Sequence, residues 1–264
     1  MTGPAPAITI GMPVYQNAGT LARAIQSVQA QTFENWRLVI TDDASDDGSW
    51  DIAEMAAQDD PRIEATRNPS RRRYMNFSTS LERADTPYFV WLSADDFWAP
   101  GFLDKTLSAL EASPDAVSAL PRWTYCGTVD GEKAPRTEPL DQELTERMRR
   151  YLAAPGGTRM YGLMRTPALL SAFPKRTMLA YDWYLMTGLL KQGTQIEVPE
   201  VVLFRERTEL TRYAEDSDEM QRGLFRRFPV LKMSLAAIKA GHIPTENLWD
   251  LLHLNLRKHE EYLA

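Results

Sequence analysis

Pairs of adjacent aspartates are the residues of this chain best suited to chemistry. Asp95 and Asp96 follow the most apolar run, Tyr88 to Leu92, while Asp42 and Asp43 follow a second predicted strand. Adjacent carboxylates that leave a buried strand repel each other unless a cation lies nearby, and hard oxygen ligands suit Mg²⁺ or Mn²⁺. An ion held there could bridge a diphosphate and neutralise the charge that develops on it.

Each pair also has a purely structural interpretation. An aspartate ahead of Trp98 to Pro100 could cap a helix that starts at Gly101. The segment Asp42 to Gly48 has good turn chemistry, although a carboxylate there could equally bind a base or a ribose hydroxyl. The residues alone leave both interpretations open for both pairs.

Three further side chains could take part in a reaction. Tyr15, after Pro13, could stack on a base, and Arg73 in the run Arg71 to Arg73 could reach a base or phosphate. Asp182 lies among aromatic residues at a predicted helix start, where desolvation would raise its basicity. A first-turn aspartate stabilised by the helix dipole is the alternative.

The chain offers few other groups for acid–base work. Its histidines, His242, His253 and His259, all lie near the C-terminus, and Cys126 is its one cysteine. A histidine metal centre, a Ser-His-Asp triad and an internal disulfide are therefore excluded or improbable. Proton transfer must come mostly from carboxylates.

Alternating strand and helix signals predict how these residues are positioned. Ile8 to Met12, Trp36 to Ile40 and Tyr88 to Leu92 are strand-like and are separated by helical patterns. This order implies parallel strands joined by crossover helices. In such sheets ligands bind at the carboxyl ends of the strands, where the polar clusters fall.

Composition narrows the setting. The formal net charge of −6 argues against nucleic acid as a partner. No segment reaches the roughly 18–20 apolar residues that span a bilayer, and Met1 to Ala7 lacks a signal-peptide pattern. We expect a cytoplasmic protein, with peripheral contact at the inner membrane face left open.

Four motifs in order resemble glycosyltransferase family 2, whose members are inverting enzymes with the GT-A fold. They are Ile10 to Asn17 (PxYN turn), Ser27 to Thr32 (S(V/L)xxQT), Asp42 to Ser49 (DDxSxDGS) and Ser93 to Asp96 (DxDD). Each motif is weak alone, whereas four in the family's order are specific. The resemblance implies an α/β fold with a Rossmann-like, mixed, mostly parallel sheet flanked by helices, and the helical pattern after Ser217 predicts a C-terminal helical extension.

The resemblance also implies a division of the chain and a donor site. Residues 1–215 would form the GT-A domain, with nucleotide binding in about 1–105 and acceptor binding in about 106–215, and 216–264 would form the helical extension. The expected donor-binding residues are Pro13, Val14, Tyr15, Asp42, Asp43, Arg73, Asp95 and Arg207. Of the two aspartates in DDxSxDGS, Asp43 is the preferred base ligand.

The remaining expected roles concern the metal and the acceptor. Asp96 would hold Mn²⁺ or Mg²⁺, Asp182 would activate the acceptor, and Trp183 and Tyr184 would contact it. The sequence departs from the family in two places. Ser93 replaces the first aspartate of DxDD, which predicts weaker metal affinity, and Arg207 replaces the histidine of the family's RxH and is expected to clamp the diphosphate.

The implied function is inverting transfer of a sugar from a nucleotide-diphosphate sugar, a UDP-sugar by preference, to a hydroxyl of a saccharide or glycolipid. The implied setting is bacterial surface polysaccharide or glycoconjugate synthesis. The alternative is a non-catalytic protein of the same fold that binds a nucleotide sugar or acts as a scaffold. The C-terminal helices would serve homo-oligomer formation or membrane contact, or would simply pack against the parent domain.

Overall fold

A mixed β-sheet forms the centre of the molecule. The computed structural model describes residues 5–126, 138–176, 178–206 and 227–263. Within them the sheet has the strand order β3-β2-β1-β4-β7-β6-β8-β5. The strands are β1 (Ile8–Val14), β2 (Trp36–Asp42), β3 (Ile63–Arg67), β4 (Tyr88–Trp91), β5 (Phe97–Trp98), β6 (Ala116–Tyr125), β7 (Leu163–Arg165) and β8 (Thr194–Arg205).

The first half of the sheet is parallel, as the alternation of strand and helix signals predicts. β1 pairs in parallel with β2 and β4, and β2 pairs in parallel with β3. The intervening helices are α1 (Leu21–Gln29), α2 (Ser49–Asp59) and α3 (Asn76–Leu81). Because these strands share a direction, their carboxyl ends meet at one edge, and the predicted polar clusters lie there.

The second half mixes strand directions. β7 runs antiparallel to β4 and β6, while β8 is parallel to β6 and antiparallel to β5. Two short strands were expected at 195–198 and 201–204; they form the single strand β8, whose register against β6 shifts between Pro121 and Arg122. The chain's later helices are α4 (Phe102–Glu111), α5 (Leu144–Ala153), α6 (Thr166–Ala172), α7 (Tyr181–Gln192), α8 (Leu231–Lys239) and α9 (Leu248–Leu263).

The C-terminal helices pack against the helices before them. α8 contacts α7 and α9 contacts α5, and Met233, Ala237, Leu251 and Leu254 belong to the same core cluster as α7. The predicted boundary between 215 and 216 lies outside the described residues and stays a prediction.

The apolar stripe of α9 is only partly buried. Leu248, Leu252 and Leu256 are each more than 40% exposed, while Leu251 is buried. Homo-oligomer formation and membrane contact through these helices stay predictions, as does the cytoplasmic location. In the part of the chain that is described, no helix combines the length and apolarity needed to cross a membrane.

Gly11 in β1 allows α3 to pack closely on the sheet. A Cβ at this position would lie 2.5 Å from Ser80 Oγ and 2.6 Å from Phe89 Cζ, and both of these side chains are fully buried. We expect Gly11→Ala to lower the free energy of unfolding by roughly 1–3 kcal/mol, the usual cost of overpacking. Thermal unfolding would measure the effect. Gly19→Ala is the matched control, because a Cβ there meets no atom within 4 Å. Equal unfolding midpoints for the two variants would contradict the prediction.

Candidate functional site

A cavity of about 290 Å³ lies at the carboxyl ends of β1 and β2. It collects most of the predicted donor-binding residues. Its lining consists of Pro13, Val14, Tyr15, Asn17, Asp43, Arg71, Arg73, Tyr74, Asn76, Phe77 and Ser93. The guanidinium of Arg71 lies 4.1 Å from the centre of the Tyr15 ring, so the cavity has an aromatic wall with a cation beside it.

Asp43 holds the arginine segment in place. Its Oδ1 accepts hydrogen bonds from the Arg72 N–H at 2.7 Å and from Asn68 Nδ2 at 2.9 Å, and its Oδ2 accepts one from the Arg73 N–H at 2.7 Å. A carboxylate has about four acceptor positions. The hydrogen bonds given for the described residues occupy one position on Oδ2, so the other could accept from a donor in the cavity, such as a base N–H.

Asp42 does not line this cavity. Its side chain is fully buried, forms an ion pair with Arg67 Nε at 3.2 Å and accepts a hydrogen bond from the Ser45 N–H. Neighbouring residues at a strand end point to opposite faces, so only one of the two aspartates can face the cavity. Donor binding by Asp42 finds no support in this geometry, and Asp42 instead links β2 to β3.

The rest of the acidic turn supports the loop after β1. The Gln16 N–H donates to Ser45 Oγ at 3.0 Å, the Asn17 N–H to Ser49 Oγ at 2.9 Å and the Ala18 N–H to Asp47 Oδ2 at 2.9 Å. The turn interpretation thus applies to these residues, while Asp43 is directed at the cavity. The two interpretations of this segment were not exclusive.

Backbone strain is concentrated around the predicted site. Among the described residues, four that are not glycine have left-handed φ: Gln16 (56°), Ala44 (60°), Arg73 (58°) and Ala180 (56°). Gln16 follows Tyr15, Ala44 follows Asp43, Arg73 lines the cavity, and Ala180 lies two positions before Asp182. Such conformations cost of order 1–3 kcal/mol each and persist where the surroundings enforce them, often at functional sites.

Asp96 is buried, and its carboxylate lies beside the side chain of Arg205, the last residue of β8. Its Oδ1 accepts a hydrogen bond from the Glu206 N–H at 3.1 Å, and its Oδ2 lies 3.5 Å from Arg205 Nε. Burial raises the pKa of Asp96 to about 7, with a further contribution from Asp95, against the opposing effect of Arg205. Asp96 is not a helix cap, because α4 begins at Phe102 with Gly101 in the capping position.

The neighbouring groups hold this segment together. Ser93 Oγ donates a hydrogen bond to the Asp95 carboxylate. Arg23 donates to the Asp95 carbonyl at 3.1 Å and to Glu206 Oε2 at 2.7 Å. The hydroxyl that replaces the first aspartate of DxDD therefore fixes the second.

The carboxylates of Asp95 and Asp96 fit a divalent cation whose other ligands are supplied by the substrate and by water. In the described ranges no cluster of three or more His, Cys, Asp and Glu residues could hold a metal. Asp96 Oδ2 is buried and lies 3.5 Å from Arg205 Nε, but it accepts no hydrogen bond of normal geometry from the described residues, and the Asp95 carboxylate is close enough to raise its pKa. One or two carboxylates together with substrate phosphates are the usual Mg²⁺ arrangement.

A second cavity, of about 320 Å³, adjoins the first and contains Asp182. The two cavities share Tyr74 and Phe77 as lining residues. The other residues of the second cavity are Gly157, Thr158, Met160, Tyr161, Met178, Leu179, Ala180, Tyr181, Asp182 and Arg205. Burial raises the pKa of Asp182 to about 6, although hydrogen bonding to the backbone at Trp183 partly opposes this rise.

Trp183 and Tyr184 do not reach the second cavity. The Tyr184 ring lies 4.6 Å from the His242 ring, and the Trp183 ring lies 5.7 Å from Lys258 Nζ. Successive side chains on a helix point about 100° apart, so α7 cannot aim all of 181–184 at one cavity. The aromatic residues that do line it are Tyr74, Phe77, Tyr161 and Tyr181.

Arg205, which follows the last predicted strand and was considered with Arg207 for the diphosphate, lies beside Asp96, whereas Arg207, which was expected to contact the donor, lies outside the described residues. Other residues of the site were not singled out from the sequence. Tyr74 is the residue after Arg73, so the arginine run pointed to the correct segment but not to this ring. Asn68 and Gly157 carried no local signal, because their partners Asp43 and Asp182 lie 25 residues away in each case.

A larger depression lies at the opposite edge of the sheet. It has a volume of about 880 Å³ and is lined by residues such as Trp36, Arg37, Arg62 and Ile63. Arg62 there pairs with Asp60 at 2.8 Å and lies over the Trp36 ring. Ligands of parallel sheets bind at the carboxyl ends of the strands, so the two smaller cavities are the better candidates.

Comparison with solved structures supports the fold. S. aureus TarS 1–349 in complex with UDP-GlcNAc superposes with a TM-score of 0.68 at 14% identity, covering 97% of this chain and 72% of that one. The mannosyltransferase PcManGT from Pyrobaculum calidifontis, in complex with GDP-Man and Mn²⁺, gives 0.64 at 18% identity, covering 99% and 74%. The expected α/β architecture of the GT-A type is confirmed.

Comparison of sequences gives the family. The putative teichuronic acid biosynthesis glycosyltransferase TuaG of Bacillus subtilis strain 168 is 30% identical over 108 residues, or 40% of this chain and 43% of that protein. The chain aligns with less than half the length of the curated relatives it matches first. The family model for glycosyl transferase family 2 matches residues 9–171. The chain belongs to glycosyl transferase family 2.

Proposed function

We propose that the chain is an inverting glycosyltransferase that moves a sugar from a nucleotide-diphosphate sugar to an acceptor hydroxyl. The observation that carries the proposal is the meeting of two cavities at the carboxyl edge of the sheet. One contains Tyr15, Asp43 and Arg73, and the other contains Asp182. A donor in the first and an acceptor in the second would meet at their shared wall.

The first cavity suits a nucleoside diphosphate. The Tyr15 ring offers a stacking face for a base, and Asp43 keeps one acceptor position for a base N–H. Arg71 and Arg73 supply positive charge for phosphate oxygens. We take the donor to be a UDP-sugar, in line with the UDP-GlcNAc bound by TarS.

The second cavity suits a saccharide acceptor with a carboxylate base. A carboxyl with a pKa of about 6 is largely ionised at neutral pH and is more basic than an ordinary aspartate. The aromatic rings around it can pack against the apolar face of a sugar. We extend the acceptor class to saccharides and glycolipids, as in the synthesis of bacterial surface polysaccharide, in line with TuaG.

Asp96, with Asp95 beside it, would hold Mn²⁺ or Mg²⁺. When bound, this ion would neutralise charge on the diphosphate, in line with the Mn²⁺ in PcManGT. Arg205 lies next to Asp96 and also lines the second cavity with Asp182, so it adds a fixed positive charge between the two aspartates. The leaving group then needs no general acid.

Transfer proceeds by a single displacement. Asp182 accepts the proton of the acceptor hydroxyl while that oxygen forms a bond to the anomeric carbon. The bond from the anomeric carbon to the phosphate oxygen breaks, and the nucleoside diphosphate leaves from the opposite face. Attack opposite the leaving group inverts the configuration.

A panel of nucleotide sugars tests the proposal. The protein would be incubated with each donor and with saccharide acceptors, with and without Mn²⁺, and release of nucleoside diphosphate would be measured. Metal-stimulated, acceptor-dependent release from one donor supports an enzyme. Tight binding of a donor without release under any of these conditions would instead support the non-catalytic binding protein.

Tyr15→Ala and Asp43→Ala should weaken UDP binding more than they slow turnover of the bound complex. The first removes a stacking face worth roughly 1–3 kcal/mol. The second removes the acceptor of the Arg72 and Arg73 N–H groups and so frees that segment. Calorimetric titration with UDP measures both effects.

Tyr15→Phe is the matched control for the stacking face, because it keeps the ring and should keep most of the affinity. Unchanged UDP affinity in both alanine variants would remove Tyr15 and Asp43 from the donor site.

A further inference from the structure

Asp182 lies at the start of helix α7. Ala180 occupies the capping position with φ 56° and ψ 38°, and the helix runs from Tyr181. Asp182 therefore lies in the first turn of α7, two residues after the left-handed Ala180. The backbone of α7 does not by itself explain why there is room for the carboxylate next to the loop that faces it.

Gly157 faces the Asp182 carboxylate and, because it has no side chain, leaves room for it. A Cβ built on Gly157 would lie 2.5 Å from Asp182 Oδ2 and 3.6 Å from Asp182 Cγ. Real side-chain carbons do not approach an oxygen this closely. The carboxylate thus occupies space that any residue other than glycine would fill.

The backbone at Gly157 does not itself require glycine. Its φ lies outside the left-handed region, and it begins the short 3-10 helix Gly157–Tyr161. Alanine would fit this conformation and would reduce the freedom of the unfolded chain. The close approach of Asp182 Oδ2 is the feature that conflicts with a side chain here, because a Cβ at 157 must displace the carboxylate.

We propose that Gly157 is a positioning residue for the acceptor base: the absence of a side chain at 157 lets the Asp182 carboxylate lie against the main chain and fixes where it meets the acceptor. The inference rests on the proposed role of Asp182 in transfer. Gly157 acts through Asp182 and not through the proposed donor cavity, since it lines the second cavity and not the first.

Gly157→Ala should lower kcat about 10- to 100-fold. The new methyl group must push Oδ2 away by roughly 0.5–1 Å, and a misplacement of about 1 Å in a catalytic group can cost up to about 10²-fold. UDP affinity, measured by calorimetry, should stay within about 2-fold of the parent value, because the donor cavity is unchanged.

Gly156→Ala is the matched control. Gly156 has extended backbone angles (φ −138°, ψ 133°), and a Cβ there would meet only Thr158 Oγ1, at 3.8 Å. This variant makes the same chemical change one residue earlier and should keep the kcat of the parent. A similar loss in both variants would assign the effect to the loop as a whole and overturn the proposal.

A double-mutant cycle separates positioning from a general structural defect. In an Asp182→Asn background the base is already lost, so Gly157→Ala should lower kcat by no more than about 2-fold further. A multiplicative loss in the double variant would overturn the proposal. The cycle also separates the two ideas: if Asp182→Asn alone retained full turnover, the proposed role of Asp182 would fail, whereas normal turnover of Gly157→Ala alone would sink only the positioning role.

Thermal unfolding gives a second readout that does not depend on activity. Gly157→Ala should lower the unfolding midpoint of the parent protein, where the methyl group meets the carboxylate. In an Asp182→Ala background no carboxylate is present, and the same substitution should leave the midpoint unchanged or raise it. An equal decrease in both backgrounds would show that another contact of Gly157 is responsible, and the proposal would be wrong.

Discussion

Asp182→Asn should lower turnover by about 10²–10⁴-fold, the usual contribution of a general base. Asparagine keeps the shape of the side chain and removes its basicity. The histidines of the chain lie in 242–259, outside both cavities, and Asp43 and Asp96 are the residues proposed for the donor and the metal. Steady-state kinetics with saturating donor and acceptor would measure the loss, and UDP affinity should change little.

The pH dependence of turnover should identify the same group. A base must be ionised to accept a proton, and burial raises the pKa of Asp182 to about 6. The kcat of the parent enzyme should therefore rise with pH through about 6 and level off above it. The asparagine variant should lack this rise, since it has no carboxyl at this position to titrate.

The same substitution should make the fold more stable at neutral pH. The pKa of Asp182 is higher in the folded protein, about 6, than its usual value of 3.8. Its contribution to stability is fully present below pH of about 4 and is lost as the pH rises through about 6. This difference corresponds to at most about 3 kcal/mol, so Asp182→Asn should raise the unfolding midpoint at pH 7–8 and change it little at pH of about 4.

A first-turn aspartate of another helix provides the control. Asp51 lies in the first turn of α2, as Asp182 does in α7, but is exposed, so Asp51→Asn should leave turnover and its pH dependence unchanged. The mechanism would be wrong if Asp182→Asn kept near-normal turnover but lost donor binding, because Asp182 would then belong to the donor side.

The parallel half of the fold and the grouping of residues at its carboxyl edge were predictable because the signals are local. Each motif ends a strand, and parallel strands bring their carboxyl ends to one edge. Tyr15, Asp43 and Arg73 meet there, as the order of the motifs implies. The choice between Asp42 and Asp43 was less certain, because it depends on which face each carboxylate takes as the chain enters a turn with a left-handed residue at Ala44.

The acceptor side was harder to predict because its contacts are distant in sequence. Asp182 was singled out by the family resemblance together with its aromatic neighbours, yet Trp183 and Tyr184 face α9 and His242 instead. The rings that share its cavity include Tyr74, from the other half of the chain. No spacing pattern reports such contacts, since they arise only when β7 and α7 fold back against β4 and α3.

The arginines at the end of β8 were also difficult to assign from the sequence. The motif order drew attention to Arg205 to Arg207, and a clamp on the diphosphate was assigned to Arg207. The contact visible in the structure is between Arg205 and Asp96. Arg205 and Arg207 are two residues apart, so strand alternation does not distinguish them. The pairing of Arg205 with Asp96 joins residues that are distant in sequence, and the role of Arg207, which lies outside the described residues, stays a prediction.

Asp96→Asn should abolish stimulation by Mn²⁺ and lower turnover by about 10²-fold or more. Charge stabilisation by a bound metal is worth several kcal/mol, and each 1.36 kcal/mol corresponds to about tenfold in rate. Asparagine can still accept the Glu206 N–H through its amide oxygen, so the local backbone should be kept. The readout independent of activity is the gain in UDP affinity on adding Mn²⁺, which the variant should lose.

Stability distinguishes a functional from a structural role for Asp96. Burial raises its pKa from 3.8 to about 7 and outweighs the opposing effect of Arg205, so the fold favours the uncharged form. Its contribution to stability is present below pH of about 4 and is lost as the pH rises through about 7, so Asp96→Asn should unfold no earlier than the parent at pH 7–8. Asp104→Asn, which removes an exposed carboxylate from α4, should change neither Mn²⁺ stimulation nor turnover. Full Mn²⁺ stimulation in Asp96→Asn would show that the ion is held elsewhere, whereas a large loss of stability would mean that the Asp96–Arg205 pair holds the fold together.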